Sequence, residues 1–279
     1  MISTTKTNIR FLVKIGLLLC MATLSAACSC SGSRSTAKNA IEQTTEDPQK
    51  YTRGIDIPIL NDSIPQQLLY RKAYIASYNK ETRCPNWVAW KLTAEHVNGN
   101  VQRPGTAWHE DVEVPTPRAD NNDYRNSGWT RGHMCPAADN KWDETAMYES
   151  FLFTNACPQH KALNSGDWNE IEISCRQWAK KYGEIIIICG PLFLKQEHQT
   201  IGVHRVLVPE AFFKVIVCLD PEHPRGIGFI CRNNEGNRNK DFYTNSIKQV
   251  ERITGIQFFP NLPEEMITAV KNNDDINQL

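Results

Sequence analysis

Two segments decide the fold and the chemistry of this chain: Trp129-Thr130-Arg131-Gly132-His133-Met134-Cys135-Pro136-Ala137-Ala138-Asp139-Asn140 and Thr154-Asn155-Ala156-Cys157-Pro158-Gln159-His160-Lys161-Ala162-Leu163-Asn164. Histidine is suited to taking a proton from water near neutral pH, since its ordinary pKa is about 6.5, and His133 is therefore a candidate general base. Arg131 offers a fixed positive charge two residues away, and the amide oxygen of Asn164 is a ligand that a hard divalent ion accepts. A base, a cation and an ion site are the parts that phosphodiester hydrolysis requires.

The order of residues through and beyond these segments resembles one family, the DNA/RNA non-specific endonucleases, which are endonuclease G-like proteins of the ββα-metal or His-Me finger type. The family pattern is Asp-Arg-Gly-His with a Pro-Ala-Ala-Asp-like tail, then Ser/Thr-Asn-x-x-Pro-Gln, an Asn five residues later, Gly-x-Trp, a Glu and an Arg. This sequence matches the pattern at the following positions: Arg131, Gly132, His133, Pro136, Ala137, Ala138, Asp139, Asn155, Pro158, Gln159, Asn164, Gly166, Trp168, Glu172 and Arg176. With an entry hairpin and a closing segment that are also similar, the resemblance covers roughly Leu68 to Leu262.

The resemblance implies a metal-dependent, sequence-non-specific endonuclease that hydrolyses phosphodiester bonds of DNA and RNA. It implies that His133 deprotonates the attacking water and that Asn164 holds Mg²⁺, with Mn²⁺ or another divalent ion as the alternatives. Arg131 is expected to position the phosphate, and Glu172 to orient an ion-bound water. Sites of this kind contact the nucleic-acid backbone rather than base edges, so little sequence preference is expected.

The resemblance assigns three further residues to the substrate. Arg103 occupies roughly the place of a phosphate-contacting arginine ahead of the main motif, and Arg176 is expected to help hold phosphate. Asn155 is expected to fix the loop of His133 by hydrogen bonds, and a purely structural role for it is equally open. By spacing alone, Glu172 and Arg176 also fit an ordinary helix salt bridge worth about 0.2–0.5 kcal/mol.

Thr130 stands where the family usually has Asp. A hydroxyl group can form hydrogen bonds but cannot pair with a charge as a carboxylate does, so the change bears on rate or local geometry. It leaves one alternative open, a catalytically impaired extracytoplasmic protein that binds nucleic acid. A second alternative is a zinc site, since thiolate and imidazole are good zinc ligands, built from His133, Cys135, Cys157 and His160.

The first 28 residues predict an export signal, because basic residues precede a short apolar run that ends in small residues. The run is shorter than the roughly 20 residues that span a membrane. The segment Leu24-Ser25-Ala26-Ala27-Cys28 resembles a bacterial lipoprotein signal in which Cys28 bears the lipid, and ordinary secretion is the other interpretation. The expected location is therefore the outer or cell-surface membrane, the periplasm or the medium. Residues 29–67 are polar and are expected to form a flexible tether.

Composition limits how nucleic acid can be held. The chain has 31 basic and 31 acidic side chains, and the leader carries only basic ones, so the remainder is slightly acidic. No global positive field therefore attracts nucleic acid, and local arginines must bind the phosphates. Among 10 cysteines some are expected to pair in an oxidising compartment, whereas Cys189 and Cys218 lie in apolar runs and are expected to be buried thiols. The family further implies a homodimer as one assembly.

The fold expected for residues 68–279 is α+β, with a central, mostly antiparallel sheet flanked by helices and a ββα-metal finger as the active site. Apolar, β-branched runs indicate strands, and these lie at 70–78, 87–92, 184–189, 212–219 and 226–231.

A helix is expected after Asn164, because apolar residues recur at helical spacing at Trp168, Ile171, Cys175, Trp178 and Tyr182. The polar run Asn164-Ser165-Gly166-Asp167 is expected to start and cap that helix.

Overall fold

The computed structural model describes residues 54–105, 108–220, 222–234 and 238–279. The expected export signal, Cys28 and most of the tether lie outside the described residues and remain predictions. Within the described ranges, no helix is both long enough and apolar enough to cross a membrane.

The elements are numbered in chain order. The strands are β1 Gln67–Tyr70, β2 Tyr74–Asn79, β3 Cys84–Thr93, β4 Thr130–His133, β5 Ala156–Gln159, β6 Glu184–Leu192, β7 Thr200–Ile201, β8 Val206–Leu207, β9 Ala211–Cys218, β10 Arg225–Arg232 and β11 Thr244–Asn245. The α-helices are α1 Ala94–Val97, α2 Asn121–Tyr124, α3 Glu144–Ser150, α4 Lys161–Ser165, α5 Asp167–Tyr182, α6 Ile247–Thr254 and α7 Glu264–Lys271. Short 3₁₀ turns lie at Ala137–Asp139, Phe153–Asn155, Lys240–Tyr243 and Ile276–Gln278.

A seven-stranded sheet forms the centre of the fold, in the order β1-β2-β3-β6-β9-β10-β11, and all neighbouring strands are antiparallel. This confirms the expected α+β class and the antiparallel sheet. The apolar runs predicted as strands after residue 184 are β6, β9 and β10, which lie side by side near the middle. The run expected as one strand over 70–78 is instead divided into β1 and β2, because a tight turn closed by Arg71 N–H donating to the Tyr74 carbonyl lies between them.

The two faces of the sheet carry separate cores, as strand β6 illustrates. Ile185 and Ile187 pack on the face covered by α5, whereas Ile186 and Ile188 pack on the face covered by α6 and α7. Side chains alternate between faces along a strand, so a strand covered on both sides must be apolar throughout. Each fully buried isoleucine contributes about 1.5–3 kcal/mol relative to an exposed one.

The packed part of the chain reaches back to Ile55, ahead of the start expected near Leu68. Ile55 and Leu60 are buried against the α6 and α7 face of the sheet. Ile59 forms a two-way backbone bridge with Gln257, and this bridge ties the segment to the C-terminal part of the domain.

Every cysteine in the described part of the chain is a free, buried thiol, so the pairing expected for some of them is not found there. Cys189 and Cys218, which were predicted to be buried thiols, are among them.

Candidate active site

The two motif segments form a small antiparallel ribbon beside the central sheet. In it, β4 pairs with β5 so that Thr130 lies opposite Gln159 and His133 opposite Ala156. Gly132 is required between them, because a Cβ atom there would lie 2.2 Å from Oε1 of the fully buried Gln159. Helices α4 and α5 follow β5 directly, and together strand, strand and helix make the expected finger.

The helix after the ribbon begins differently from the prediction. Asn164 lies in the short helix α4, and α5 begins only at Asp167. The N-cap residue of α5 is Gly166, and no side chain caps it, so the predicted cap is wrong. The side chains expected to cap make tertiary contacts instead, since Asn164 donates to Thr130 and Asp167 accepts from the hydroxyl of Tyr243.

A cavity of about 410 Å³ lies where β4, α4 and α5 meet. Five of the residues assigned to the site from the sequence line it: Arg103, Arg131, His133, Asn164 and Glu172. The remaining lining residues are Trp108, Pro136, Phe151, Ser165 and Asn169. Residues far apart in the sequence therefore meet at one place, as a reaction centre requires.

His133 is held between aromatic rings at the edge of this cavity. Its ring centroid lies 4.4 Å from that of Trp108 and 4.9 Å from that of Phe151. Nε2 is buried and has no hydrogen-bond partner among the described residues, which leaves Nδ1 as the ring nitrogen that a water in the cavity can reach. Burial, and then the positive charge of Arg103, lower the pKa of His133 to about 3. The imidazole is therefore neutral at pH 7.

Thr130 positions the proposed ion ligand. Its hydroxyl group donates to the carbonyl oxygen of Gln159 at 2.7 Å, so it can only accept from Asn164, whose Nδ2 lies 3.0 Å away. The nitrogen of the Asn164 amide is thereby engaged, and its oxygen Oδ1 is left for the cavity. Thr130, the one departure from the family motif, thus holds Asn164 in place as a ligand.

Glu172 is the carboxylate of the cavity. Burial raises its pKa to about 7, although the charge of Lys214 lowers it and the charge of Asp139 raises it further. Arg176 and Arg103 lower it by smaller amounts. Glu172 is therefore poised between its protonated and ionised forms near neutral pH.

Arg176 lies below the cavity and does not line it. Its guanidinium donates to Oδ1 of Asp139 at 3.0 Å, and Nε1 of Trp90 donates to Oδ2 of the same carboxylate at 3.1 Å. Asp139 is 2% exposed, and burial raises its pKa while Arg176 lowers it. No Glu172–Arg176 ion pair occurs among the described residues, since Arg176 pairs with Asp139. The pair joins the loop after His133 to helix α5.

Lys214 completes the charges beneath the cavity. It is fully buried on β9, and its ammonium lies 4.3 Å from the ring centroid of Trp168 and 5.3 Å from that of Trp90. Burial lowers its pKa, but the thiols of Cys189 and Cys175, and then the carboxyl groups of Glu172 and Asp139, outweigh this effect and raise it. The indole faces hold the cation in place of a direct ion pair.

Asn155 fixes the loop of His133 from beneath. Its Oδ1 accepts from the Cys135 amide at 2.9 Å, and its Nδ2 donates to the carbonyls of Cys135 and Ser150, both at 2.8 Å. The side chain is fully buried and lies outside the cavity lining.

The two arginines of the cavity are held differently. Arg131 donates to the carbonyl of Asn121 at 3.2 Å and lies over the ring of Tyr124, and burial lowers its pKa. Arg103 is exposed, with its guanidinium carbon 5.7 Å from the ring centroid of Phe151. The guanidinium groups of both arginines face the space beside His133.

The zinc alternative receives no support. Among the described residues, the ligating atoms of three or more His, Cys, Asp or Glu side chains converge only at Asp120, Asp123 and His204. None of these three residues lines the cavity, and they bond to one another: Nδ1 of His204 lies 2.9 Å from Oδ2 of Asp123, which also accepts from the Asp120 amide.

A divalent ion of the hard kind fits the cavity. Asn164 presents an amide oxygen whose nitrogen is already bonded, and Glu172 adds a carboxylate on the same wall. Such ions take oxygen ligands and keep several waters, so few protein ligands are needed.

Four residues in and beneath the cavity are not among those predicted from the sequence. Lys214 is a lysine in a strand that is otherwise apolar, and that contrast alone should have marked it. Asn169 lies three residues before Glu172 on α5, on the same face of the helix, so helical spacing would have found it. Trp108 and Phe151 carry no local signal, because only the tertiary fold brings their rings to His133.

Comparisons with known proteins agree with this geometry. A family model described as DNA/RNA non-specific endonuclease matches residues 55–265. The chain is 34% identical over 202 residues to human "Nuclease EXOG, mitochondrial". The matched region covers 67% of this chain and 55% of that protein. It is 36% identical over 161 residues to human "Endonuclease G, mitochondrial", covering 54% of each.

A solved structure, "Crystal structure of the EndoG/EndoGI complex: Mechanism of EndoG inhibition", superposes with a TM-score of 0.70 at 28% identity. The match covers 75% of this chain and 92% of that one. The chain spans little more than half the length of the human relatives named above.

The comparisons overturn the location expected from the leader. The similar proteins whose names give a compartment are mitochondrial, in frog, cattle and yeast among others. The expectation of an outer or cell-surface membrane lipoprotein, or of a periplasmic or secreted protein, is therefore wrong.

Proposed function

Because the chain belongs to the DNA/RNA non-specific endonuclease family, we propose that it is a metal-dependent endonuclease that hydrolyses phosphodiester bonds of DNA and RNA. The observation that carries the proposal is the meeting of His133, Asn164, Glu172 and two arginines around one cavity. Those side chains supply a base, an ion ligand and phosphate-binding charge, which is the set that the reaction requires.

The role of each residue follows from its surroundings. Nδ1 of the neutral His133 takes the proton of the attacking water, and the low pKa of His133 keeps this nitrogen unprotonated before attack. Arg131 and Arg103 hold the phosphate oxygens beside it. Asn164 would hold the divalent ion through Oδ1, and Glu172 would orient a water of that ion. The ion, when bound, supplies positive charge beside the phosphate.

Arg176 and Asn155 support these groups from below. Arg176 supports the site through its ion pair with Asp139, and Asn155 supports it through the loop that carries His133. Both residues belong to the proposed site through these contacts.

Cleavage of closed circular plasmid by the full chain tests the proposal. Wild-type protein should nick and linearise the plasmid with Mg²⁺ and leave it intact with chelator. His133→Ala and Asn164→Ala should each lower the rate at least a hundredfold, since a positioned base alone contributes about 10²–10⁴-fold. Exposed Arg252→Ala, on α6, is the control and should cut at the wild-type rate.

The rival function is a protein that binds nucleic acid without cutting it, with Thr130 as the lesion. The Thr130–Asn164 hydrogen bond favours the enzyme, because it keeps the ligand oxygen directed to the cavity. Binding of plasmid by folded wild-type protein without cleavage in Mg²⁺ or Mn²⁺ would establish the rival.

Three finer parts of the proposal have separate tests. Mg²⁺ is the expected ion, and comparing cleavage in Mg²⁺, Mn²⁺ and Ca²⁺ tests the choice. RNA is the second expected substrate. A homodimer is the expected assembly, to be measured by sedimentation. Lipid attachment through Cys28 forms no part of this proposal, since the location it served has been overturned.

A further inference from the structure

A second cavity, of about 440 Å³, lies at the open end of the β4–β5 ribbon, where β6, β9 and β10 of the central sheet also end. We call it the Trp129 cavity. Its walls include one indole, Trp129, two exposed cations, Lys195 and Arg232, and the amide side chains of Gln199 and Asn234. None of these residues has a role in the site described above.

The Trp129 cavity lies one short strand away from the reaction centre. Trp129 directly precedes β4, and His133 is the last residue of that strand. At a rise of about 3.3 Å per residue in a strand, the two residues lie about 13 Å apart. One strand of stacked nucleic acid advances about 3.4 Å per nucleotide, so the span corresponds to about four nucleotides.

The buried side chain of Asn233 connects the two cavities through hydrogen bonds. Oδ1 of Asn233 accepts from the His160 amide at 2.8 Å, and its Nδ2 donates to the carbonyls of Pro158 at 3.0 Å and Pro209 at 2.8 Å. Pro158 is the residue of β5 that pairs with Arg131. A ligand in the Trp129 cavity therefore contacts a wall that is fixed relative to the phosphate-binding side chains.

The chemistry of the walls selects the ligand. An indole that is partly exposed offers a stacking surface, and every nucleobase has a face to stack on it. Arg232 forms no ion pair within the described ranges, so its charge is available to a phosphate. The carboxylate of Glu210 in the same wall is already engaged, by His198 at 3.0 Å and by the Leu194 amide at 2.8 Å.

We propose that the Trp129 cavity is a subsite for one unpaired nucleobase and its adjoining phosphate, on the strand that is cut at His133. The base stacks on Trp129, and Arg232 and Lys195 bind the phosphate. The proposal rests on the proposed function, since it places the subsite on the substrate of that reaction. A base within a duplex is already stacked and paired, so the subsite favours single-stranded DNA or RNA.

Binding without cleavage tests the subsite. The dissociation constant of a labelled 12-nucleotide single strand is measured by fluorescence anisotropy, with the full chain in chelator, beside a duplex of the same sequence. Trp129→Leu should weaken single-strand binding about five- to a hundredfold, the range of one lost base–aromatic stack, and should weaken duplex binding less. Trp129→Phe should recover most of the affinity, because it keeps a ring.

The variants carry their own controls. Arg232→Ala should weaken binding of both forms and reduce its salt dependence, whereas Arg252→Ala, an exposed cation on α6, should bind as wild type. If Trp129→Leu does not fold, the affinities of Arg232→Ala and Trp129→Phe for the single strand, each compared with wild type, still test the subsite. Equal affinities of folded Trp129→Leu and wild type for the single strand, or an Arg232→Ala affinity equal to that of Arg252→Ala, overturn the proposal.

Plasmid cleavage by the same wild-type preparation distinguishes failure of the subsite from failure of the proposed nuclease function. If the plasmid is cut but Trp129→Leu binds the single strand normally, the subsite is wrong and the nuclease stands. If the plasmid stays intact and Trp129→Leu loses affinity, the nuclease is wrong, and the Trp129 cavity binds a nucleobase without serving a cleavage reaction.

Discussion

The cavity and the layer beneath it, formed by Asp139, Arg176 and Lys214, both contain charged side chains. Those of the cavity are open to solvent, and those of the layer are shielded from it. In the cavity, Arg103 and Arg131 face open space, and no carboxylate of the described part of the chain pairs with them. Beneath it, Asp139, Arg176 and Lys214 are shielded from water and bonded or held against rings. The upper charges are left for a substrate, and the lower ones neutralise each other.

Glu172 belongs to both regions. It lines the cavity, yet its pKa follows from burial and from the charges below. With Asp139 and Glu172 ionised, two negative charges face the two positive charges of Arg176 and Lys214. Removing either cation would leave a net negative charge in a poorly solvated place, which raises the pKa of a carboxyl group. Substitutions in the lower layer are therefore expected to alter stability and protonation, whereas substitutions in the cavity are expected to alter turnover.

The largest effect on stability is expected from Asp139→Asn. This change keeps the shape but leaves the cations of Arg176 and Lys214 without the carboxylate, and breaking a buried pair costs about 3–5 kcal/mol. The free energy of unfolding in urea measures it.

The matched control for Asp139→Asn is Glu110→Gln, which breaks the exposed Arg118–Glu110 pair and should cost less than about 1 kcal/mol. Similar losses in the two variants would show that the lower layer is not an energetically distinct region.

A smaller effect, on protonation, is expected from Lys214→Met. Glu172 has a pKa of about 7 against an ordinary 4.5, so the folded chain retains this proton between those values. Its contribution to stability is full below about 4.5 and is lost as pH rises through about 7. Without Lys214 the pKa should rise further, which ¹³C NMR titration of the ion-free protein measures directly.

The activity of Lys214→Met should follow the same change. Cleavage at pH 7 should fall about threefold or more and recover as pH rises, because ionised Glu172 is the form that orients water. His133 cannot give this acidic limb, since its pKa is about 3. Lys248→Met, an exposed lysine on α6, should leave the profile unchanged. A pH-independent loss would mean that Lys214 serves packing alone.

The smallest effect is expected from Thr130→Val, which removes the hydroxyl that orients Asn164. One hydrogen bond contributes about 1 kcal/mol, so the Mg²⁺ concentration for half-maximal cleavage should rise about fivefold. Thr130→Ser keeps the hydroxyl and should behave as wild type. An unchanged Mg²⁺ requirement in Thr130→Val would show that Thr130 does not orient Asn164 for ion binding.

The sequence predicted the residues of the cavity better than those of the layer beneath it. His133, Arg131 and Asn164 fall within short motifs whose order is distinctive, and they line one cavity. Arg176 follows Glu172 at helical spacing, but helical spacing does not reveal a carboxylate from another segment, and Asp139 is the group that Arg176 contacts. Lys214 was overlooked because a strand is identified by its apolar residues.

The sequence by itself determined most strands of the central sheet and which side chains are candidates for the reaction, because runs of apolar, β-branched residues and the order of the motifs are properties of the chain alone. Only the tertiary structure decided the protonation of those side chains. The pKa of His133 falls to about 3 and that of Glu172 rises to about 7 because the fold removes water and brings charges from distant segments, such as Arg103 and Lys214, to them.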